Sequence, residues 1–322
     1  MQILNKIKLK SILLLTFVLA SFIFIEKLVS YPSKIGELSQ NTTVEIPKFS
    51  SLSNIALILE ENNVIKNRYF FIIYSYMTGK AKLLKAGEYY FSKNISPVAV
   101  LNKLYKNEVK LYKLVIPECY SNKQIFELIK KNLYFIGALM DYSEGSFFPS
   151  TYYFSKDTKA NNLLNIMQKT AKVKFSKIYN DYKNNISDIL DNNEVLILAS
   201  IVEAEAKKKE DKSKIAAVFL NRLKRGMKLQ SDPTVIYGIN KTVYLDRAIK
   251  KSDLLIEHVW NTYKISGLPP TPICNVGIDS IYAVLNPEKS TNLYFVADGK
   301  GGHIFSETYA DHKKHIKNIY KK

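Results

Sequence analysis

The chain begins with a long apolar run behind a lysine cluster. Lys6, Lys8 and Lys10 precede the uncharged stretch Ser11–Ile25, SILLLTFVLASFIFI. The stretch is shorter than the about 20 apolar residues of a typical membrane span, so it fits a cleaved signal peptide or a signal anchor with snorkelling ends. No A-x-A site follows it, which favours an uncleaved anchor. The lysines predict a cytoplasmic N-terminus and an exported remainder.

Beyond this run, the pattern predicts a polar tether over residues 31–43 and then a small module. Apolar positions alternate in two short segments and recur at helical spacing in two others, which predicts the order strand, helix, helix, strand. Ser51 or Ser53 is a suitable cap for the first helix. The four predicted elements, followed by one more helix and strand, are Val44–Pro47, Ser51–Val64, Asn67–Met77, Leu83–Phe91, Pro97–Lys106 and Lys110–Ile116.

The second half of the sequence is predicted to be mainly helical with a short sheet. Residues 229–272 are dense in Asn, Thr, Tyr, Gly and Pro, and we expect this segment to be rich in loops. The fold class is therefore predicted to be α+β. The predicted helices are Asn161–Tyr182, Asn193–Lys207, Lys214–Arg225, Ile278–Leu285 and Glu307–Tyr320, with a strand at Leu293–Ala297 and a turn at Gly299–Gly302.

The net charge and the number of cysteines exclude some classes of function. Forty-seven Lys and Arg against 29 Asp and Glu give a net charge of +18, which suits an acidic polymer or a membrane surface. The excess is mostly scattered lysine without an Arg-rich arm, so we do not expect nucleic acid binding. Two cysteines, Cys119 and Cys274, exclude a disulfide framework and a Cys-based zinc module. Free thiols are the default expectation and one disulfide remains open. No metal or other cofactor is predicted.

The remaining candidate chemistry lies in two glutamates. The sequence has no nucleophile elbow, phosphate loop or dinucleotide-binding turn. Glu203 and Glu205 occur in Ala199–Ala206, ASIVEAEA. Residues two apart on a helix point about 200° apart, so at most one of the two is expected to enter a cleft, and periodicity does not choose which. The alternative is that both are boundary residues paired with Lys207–Lys209.

Several segments resemble, in order, motifs of the endolytic murein transglycosylase (YceG-like) family. The resemblance covers nearly all of the chain after the tether. Cys119, Thr271, Cys274 and Val276 depart from its usual Gly, Gly, Ala and Pro. The segments are LLKAGEYY (83–90), IPECYS (116–121), EGSFFPSTYYF (144–154), ASIVEAEA (199–206), VFLNRLKRGM (218–227), LQSDPTVIYG (229–238), NTYKISGLPP (261–270) and LYFVADGKGGHIF (293–305).

The resemblance implies a single-pass inner-membrane protein with a LysM-like module and a periplasmic catalytic domain. Such enzymes cleave the MurNAc–GlcNAc β-1,4 bond within peptidoglycan and leave a 1,6-anhydro-MurNAc end. This activity would limit the length of glycan strands during cell wall synthesis, and the cell wall synthesis proteins would be its partners. The implied organisation is an anchor at 1–30, a tether at 31–43, the module and its connection at 44–118, and the catalytic domain at 119–322.

The resemblance also implies the site residues. It aligns the catalytic glutamate with Glu203, which would act first as acid and then as base while the C6 hydroxyl of the sugar attacks the anomeric carbon. Burial is expected to raise the pKa of Glu203. The residues implied to bind substrate are Asn221, Arg222, Gln230, Asp232, Tyr237, Asn261, Tyr263 and His303.

Two alternatives stay open at this point. A lysozyme-type hydrolase would need a second carboxylate, for which Asp232 is the best candidate, although an Asp before Pro more often caps a turn. A membrane-tethered glycan-binding protein would need no catalytic glutamate. Arg222 would either meet a substrate carboxylate or hold helices together.

Overall fold

The computed structural model describes residues 2–36 and 38–319, with side chains from Lys10 onward. The chain forms two compact units, one up to Tyr112 and one from Lys113. The sequence predicted a domain boundary a few residues later, between positions 118 and 119. Each unit is described by itself.

The first unit begins with the helix α1, Gln2–Ser30, and a 3-10 turn at Tyr31–Ser33. Within the described residues, Lys10–Ser33 is the one helical segment long and apolar enough to cross a membrane. Its apolar side chains, such as Leu15 and Phe22, are largely exposed. An apolar N-terminal helix is therefore confirmed.

The βααβ order is observed. Strand β1 pairs antiparallel with β2, with Thr42 opposite Phe91 and Ile46 opposite Gly87. Ser51 caps α2 by accepting from the Asn54 amide, and Asn67 caps α3 in the same way. The elements are β1 Thr42–Ile46, α2 Leu52–Glu61, α3 Arg68–Met77, β2 Gly87–Phe91 and α4 Pro97–Lys106.

The second unit is mainly helical. Its strands form two-stranded pairs, β3 with β5, β4 with β6 and β7 with β8, where one short sheet was predicted. The strands are β3 Tyr112–Val115, β4 Phe135–Ile136, β5 Thr151–Phe154, β6 Thr158–Lys159, β7 Tyr294–Ala297 and β8 His303–Ser306. The helices are α5 Asn122–Lys131, α6 Ala160–Tyr182, α7 Asn192–Glu205, α8 Lys212–Lys224, α9 Asp232–Asn240, α10 Ile278–Leu285 and α11 Tyr309–Ile319.

Helix α9 lies within the loop-rich segment 229–272 and was not predicted from the sequence. Pro233 occupies the first turn, where its missing N–H costs nothing. Gly238 on this helix faces the His258 ring, and a Cβ there would lie 1.9 Å from it. The predicted end of the last helix, Tyr320, lies outside the described residues.

Helix α7 packs against α8 and α10, and this contact forms the core of the second unit. The apolar side chains of α7 from Val195 to Val202 are almost completely buried, except for the partly buried Leu196. The polar C-terminal end of α7 emerges from this core and carries both candidate glutamates.

Candidate functional site

The end of α7 holds Glu203 and Glu205 in fixed and different directions. The helix starts at a capping box, in which Asp191 accepts from the Glu194 amide at 2.9 Å and Glu194 accepts from the Asp191 amide at 2.8 Å. The buried run after this cap fixes the rotation of the helix. The two carboxylates, two residues apart, consequently meet different neighbours.

Glu203 is a buried and fully engaged carboxylate. Its residue is 8% exposed. Oε1 accepts a hydrogen bond from Lys212 Nζ at 2.8 Å, and Oε2 accepts one from the Gly277 amide at 3.0 Å. Lys212 lies at the start of α8 and is also buried. The alternative considered from the sequence, pairing of Glu203 with Lys207–Lys209, is not observed, because Lys212 is its ion-pair partner.

A second carboxylate, Glu118, lies beside this ion pair. Its Oε2 is 3.9 Å from Lys212 Nζ, and about half of its side chain is exposed. Partial burial and then the charge of Glu203 raise the pKa of Glu118, while Lys212 opposes the shift. A Cβ at Gly277 would lie 1.9 Å from Glu118 Oε1, so a larger residue there would displace the Glu118 carboxylate.

Glu205 points into a different environment, without an ion-pair partner among the described residues. Ser231 Oγ donates a hydrogen bond to its Oε1 at 2.6 Å. Among the described residues, no cation forms an ion pair with Glu205. Burial raises the pKa of Glu205 to about 7, with a further increase from Asp232, whereas the Ser231 hydrogen bond and the charge of Arg222 oppose the shift.

The segments around Glu205 are tied together by hydrogen bonds. The Ser231 amide donates to Thr262 Oγ1 at 2.9 Å, and the Gln230 amide donates to the Thr262 carbonyl at 3.2 Å. Tyr263 Oη donates to Asp232 Oδ1 at 2.7 Å. Three predicted site residues, Gln230, Asp232 and Tyr263, therefore lie on the two segments that border Glu205.

Asn221 and Arg222 bind backbone carbonyls of their own chain. Arg222 Nε donates to the Leu293 carbonyl at 2.7 Å, and Nη1 donates to the Leu229 carbonyl at 2.6 Å. Asn221 donates to two carbonyls within residues 290–292, at 2.8 and 3.0 Å. Of the two roles left open for Arg222, the structure shows contacts that hold segments together.

Asn261 and His303 are likewise engaged with protein partners. Asn261 is fully buried and donates to the carbonyls of Leu254 and Ile256, at 3.0 and 2.7 Å. His303 Nδ1 lies 3.0 Å from Asp211 Oδ2. The Asn261 side chain thus stabilises the loop that precedes Tyr263 by hydrogen bonds to its backbone.

Tyr237 belongs to a separate polar cluster around Glu144. Its Oη donates to Glu144 Oε2 at 3.0 Å, and burial raises the pKa of Glu144, opposed by hydrogen bonds such as that from the Asn122 amide. Lys241 Nζ lies 3.3 Å from the centroid of the Trp260 ring. Aromatic faces, a cation and a carboxyl group meet in this cluster.

Two cavities of the second unit share Glu144 in their walls. An open cleft of about 450 Å³ also contacts Tyr142, Tyr237 and Lys241. A cavity of about 370 Å³ runs along residues 143–148 and 270–272. Neither of these two cavities is lined by Glu203 or Glu205.

The predicted site residues thus divide among several places. Gln230, Asp232 and Tyr263 border Glu205, whereas Glu203, Tyr237 and His303 each have other partners. Glu118, Glu144 and Ser231 were not predicted. Glu118 lies in the motif IPECYS, Glu144 in EGSFFPS and Ser231 in LQSDP. These motifs were the sequence signal that could have identified the three residues.

Comparisons with known proteins agree with this arrangement of motifs. The model of the YceG-like family matches residues 44–318. The endolytic murein transglycosylase of Bacillus subtilis (strain 168) is 33% identical, over 86% of this chain and 85% of that protein. The endolytic murein transglycosylase of Streptococcus pneumoniae serotype 2 is 31% identical over 85% of this chain, which spans only 57% of the pneumococcal protein.

A solved structure is also similar. The crystal structure of a putative yceG-like protein from Listeria monocytogenes aligns with a TM-score of 0.57 and 33% identity. The alignment covers 85% of this chain and 98% of that one. The predicted family resemblance is confirmed, and this chain belongs to the YceG-like family.

Proposed function

We propose that this chain is an endolytic murein transglycosylase. It cleaves the MurNAc–GlcNAc β-1,4 bond inside peptidoglycan strands, leaves a 1,6-anhydro-MurNAc end and so limits strand length. Relatives that carry this enzyme name align with 86% and 85% of the chain. The chemical support comes from the end of α7.

We propose Glu205 as the proton donor, because its pKa is raised and no cation forms an ion pair with it among the described residues. The resemblance aligned Glu203 with the catalytic glutamate, and that assignment stays as the competing prediction. Both oxygens of Glu203 already accept hydrogen bonds from the protein, one from the buried ammonium group of Lys212 and one from the Gly277 amide. Glu205 has no such partner among the described residues, and its pKa of about 7 suits a group that gives and regains a proton near neutral pH.

The reaction needs one such carboxyl group. Glu205 donates its proton to the glycosidic oxygen as the bond from the anomeric carbon to that oxygen breaks. The C6 hydroxyl of the same MurNAc attacks the anomeric carbon, and its proton passes to the Glu205 carboxylate. The nucleophile is already attached to the reacting ring, so its attack gains from proximity.

The residues that border Glu205 support binding of the sugar. The Asp232–Tyr263 pair and Gln230 offer hydroxyl, carboxylate and amide groups to sugar hydroxyls and N-acetyl groups. Asn221, Arg222 and Asn261 act by holding the surrounding backbone. Tyr237 offers a stacking face at the Glu144 cluster, and His303, beside Asp211, offers a hydrogen-bonding group to the substrate.

Helix α1 anchors the protein in the inner membrane with a cytoplasmic N-terminus, and the second unit works outside. The exposed apolar surface of α1 and the preceding lysines support this arrangement. The βααβ module is LysM-like, and its partner is the glycan strand or the synthesis machinery.

Product analysis tests this function. The purified full-length protein is incubated with uncrosslinked glycan strands, and the new ends are measured by mass spectrometry. Anhydro ends are expected. Ends that are heavier by one water would instead identify a lysozyme-type hydrolase with Asp232 as the second carboxylate, and binding without any cleavage would identify a glycan-binding protein.

A further inference from the structure

The only two cysteines of the chain meet in the core of the second unit. Cys119 follows β3 and Cys274 precedes α10, yet their Sγ atoms are 2.8 Å apart. Non-bonded carbon atoms rest at about 3.5–4.0 Å, and a sulfur atom is larger than carbon. The two sulfurs, unbonded in this structure, are therefore held closer than ordinary packing requires.

The backbone, and not only the side chains, aligns the two cysteines. The Cys119 amide donates to the Asn275 carbonyl at 2.9 Å, and the Asn275 amide donates back to the Tyr120 carbonyl at 2.9 Å. Cys119 has a φ of 62°, in the left-handed region that favours glycine. Cys119 therefore occupies a backbone conformation that is unfavourable for any residue except glycine.

We propose that Cys119 and Cys274 form a disulfide in the exported protein. Each thiol loses one proton and one electron, and one Sγ–Sγ bond forms. A disulfide exchange partner accepts the two electrons and two protons, and its own disulfide becomes a dithiol. The inference rests on the export that is part of the proposed function, because such oxidants act outside the cytoplasm.

The disulfide would restrict the movement of the two segments that contact the Glu203–Lys212 pair. Gly277, three residues after Cys274, donates its amide to Glu203 Oε2. Glu118, directly before Cys119, lies beside Lys212, the ion-pair partner of Glu203. The disulfide therefore joins the two segments that enclose the Glu203–Lys212 pair, and it closes a long loop, which restricts the unfolded chain.

Cys119 and Cys274 are oxidised while the protein folds, and the disulfide does not act as a redox switch in the folded protein. Cys119 is 4% exposed and Cys274 is fully buried. Burial raises the pKa of the Cys274 thiol, so little of the reactive thiolate exists once the chain has folded. The bond should form before the thiols are enclosed and should resist reductants until the protein unfolds.

Thiol mapping on the full-length protein tests the proposal. Cells are quenched in acid, the protein is denatured with iodoacetamide present, and peptides are mapped without reduction. We expect unalkylated cysteines and a cross-linked peptide pair containing positions 119 and 274. Alkylation of both cysteines in protein exported to an oxidising compartment would overturn the proposal.

A matched variant measures the consequence. The double substitution Cys119→Gly with Cys274→Ala suits the positive φ and removes both thiols. Reductant should lower the urea midpoint of the refolded wild type and leave that of the variant unchanged. Equal midpoints for the oxidised and reduced wild type would contradict the proposed stabilisation.

The two proposals fail separately. Anhydro product with both cysteines alkylated would overturn the disulfide alone. A cross-linked peptide pair without any glycan cleavage would support the disulfide and overturn the proposed function.

Discussion

Two glutamates separated by one alanine have different partners in this protein: Glu203 forms an ion pair with Lys212, and Glu205 accepts a hydrogen bond from Ser231. The helical period predicted that Glu203 and Glu205 would point apart. It could not predict their partners, because Lys212, Gly277 and Ser231 come from other segments of the chain. The sequence therefore indicated where the candidate chemistry lies, whereas only the fold distinguishes an ion-paired glutamate from one with a raised pKa.

The raised pKa of Glu205 predicts a dependence of stability on pH. Its pKa rises from an ordinary value of 4.5 to about 7, so between these values the folded state holds more protons than the unfolded state. Stability should consequently fall as pH rises from about 4.5 to 7, by at most about 3 kcal/mol, and then level off. Urea unfolding at several pH values measures this, with Glu205→Gln as the comparison. A wild type and variant with parallel pH profiles would contradict the assignment.

The Glu203–Lys212 pair predicts a large structural effect. Removing one partner leaves the other charge buried and uncompensated, so Lys212→Ala should destabilise the protein by about 3–5 kcal/mol. The double variant Lys212→Ala with Glu203→Gln should recover part of this loss. Chemical denaturation measures both, and Lys214→Ala on the same helix is the control. A loss no larger than that of the control would show that the pair is not buried.

At the scale of elements, helices with capped ends and regular apolar spacing were predictable. The observed α2, α3, α4, α6, α7, α8 and α10 lie close to their predicted bounds. Helix α9 was missed because its composition resembles a loop, although Asp232-Pro233 is a common helix start. Helix α5 was missed despite the capping box between Ser121 and Gln124.

The cap of α7 gives a prediction for this element. Asp191→Ala removes the acceptor for the Glu194 amide and should cost about 1 kcal/mol of stability. Cleavage per folded molecule should stay close to that of the wild type, because both glutamates lie at the opposite end. Thermal unfolding and product analysis measure the two effects, with the exposed Asp188→Ala as the control. Unchanged stability would contradict the capping role.

At the scale of the whole molecule, the apolar N-terminal helix and the mixed α+β class were predictable from hydropathy alone. The pairing of strands was not, because partners such as β3 and β5 are brought together only by the fold. The separate Glu144 cluster was also unpredictable, since Tyr237 lies 93 residues from Glu144.

The proposed membrane anchor gives a prediction for the whole chain. The full-length protein should stay with membranes after alkaline carbonate extraction, because the apolar surface of Lys10–Ser33 remains in the bilayer. A C-terminal alkaline phosphatase fusion should be active, which requires export of that end. N-terminal sequencing should find no new N-terminus created by cleavage after the apolar helix. Extraction of the protein into the soluble fraction would contradict the anchor.

The most direct test compares the two glutamates by product formation. Glu205→Gln, Glu203→Gln and the control Glu210→Gln, an exposed residue, are assayed on uncrosslinked glycan strands at equal concentrations of folded protein. We predict that Glu205→Gln lowers the rate of anhydro-end formation by about 100-fold or more, whereas Glu203→Gln keeps most of it. Loss of the product in Glu203→Gln with near wild-type formation in Glu205→Gln would contradict the account and return the proton donor to Glu203.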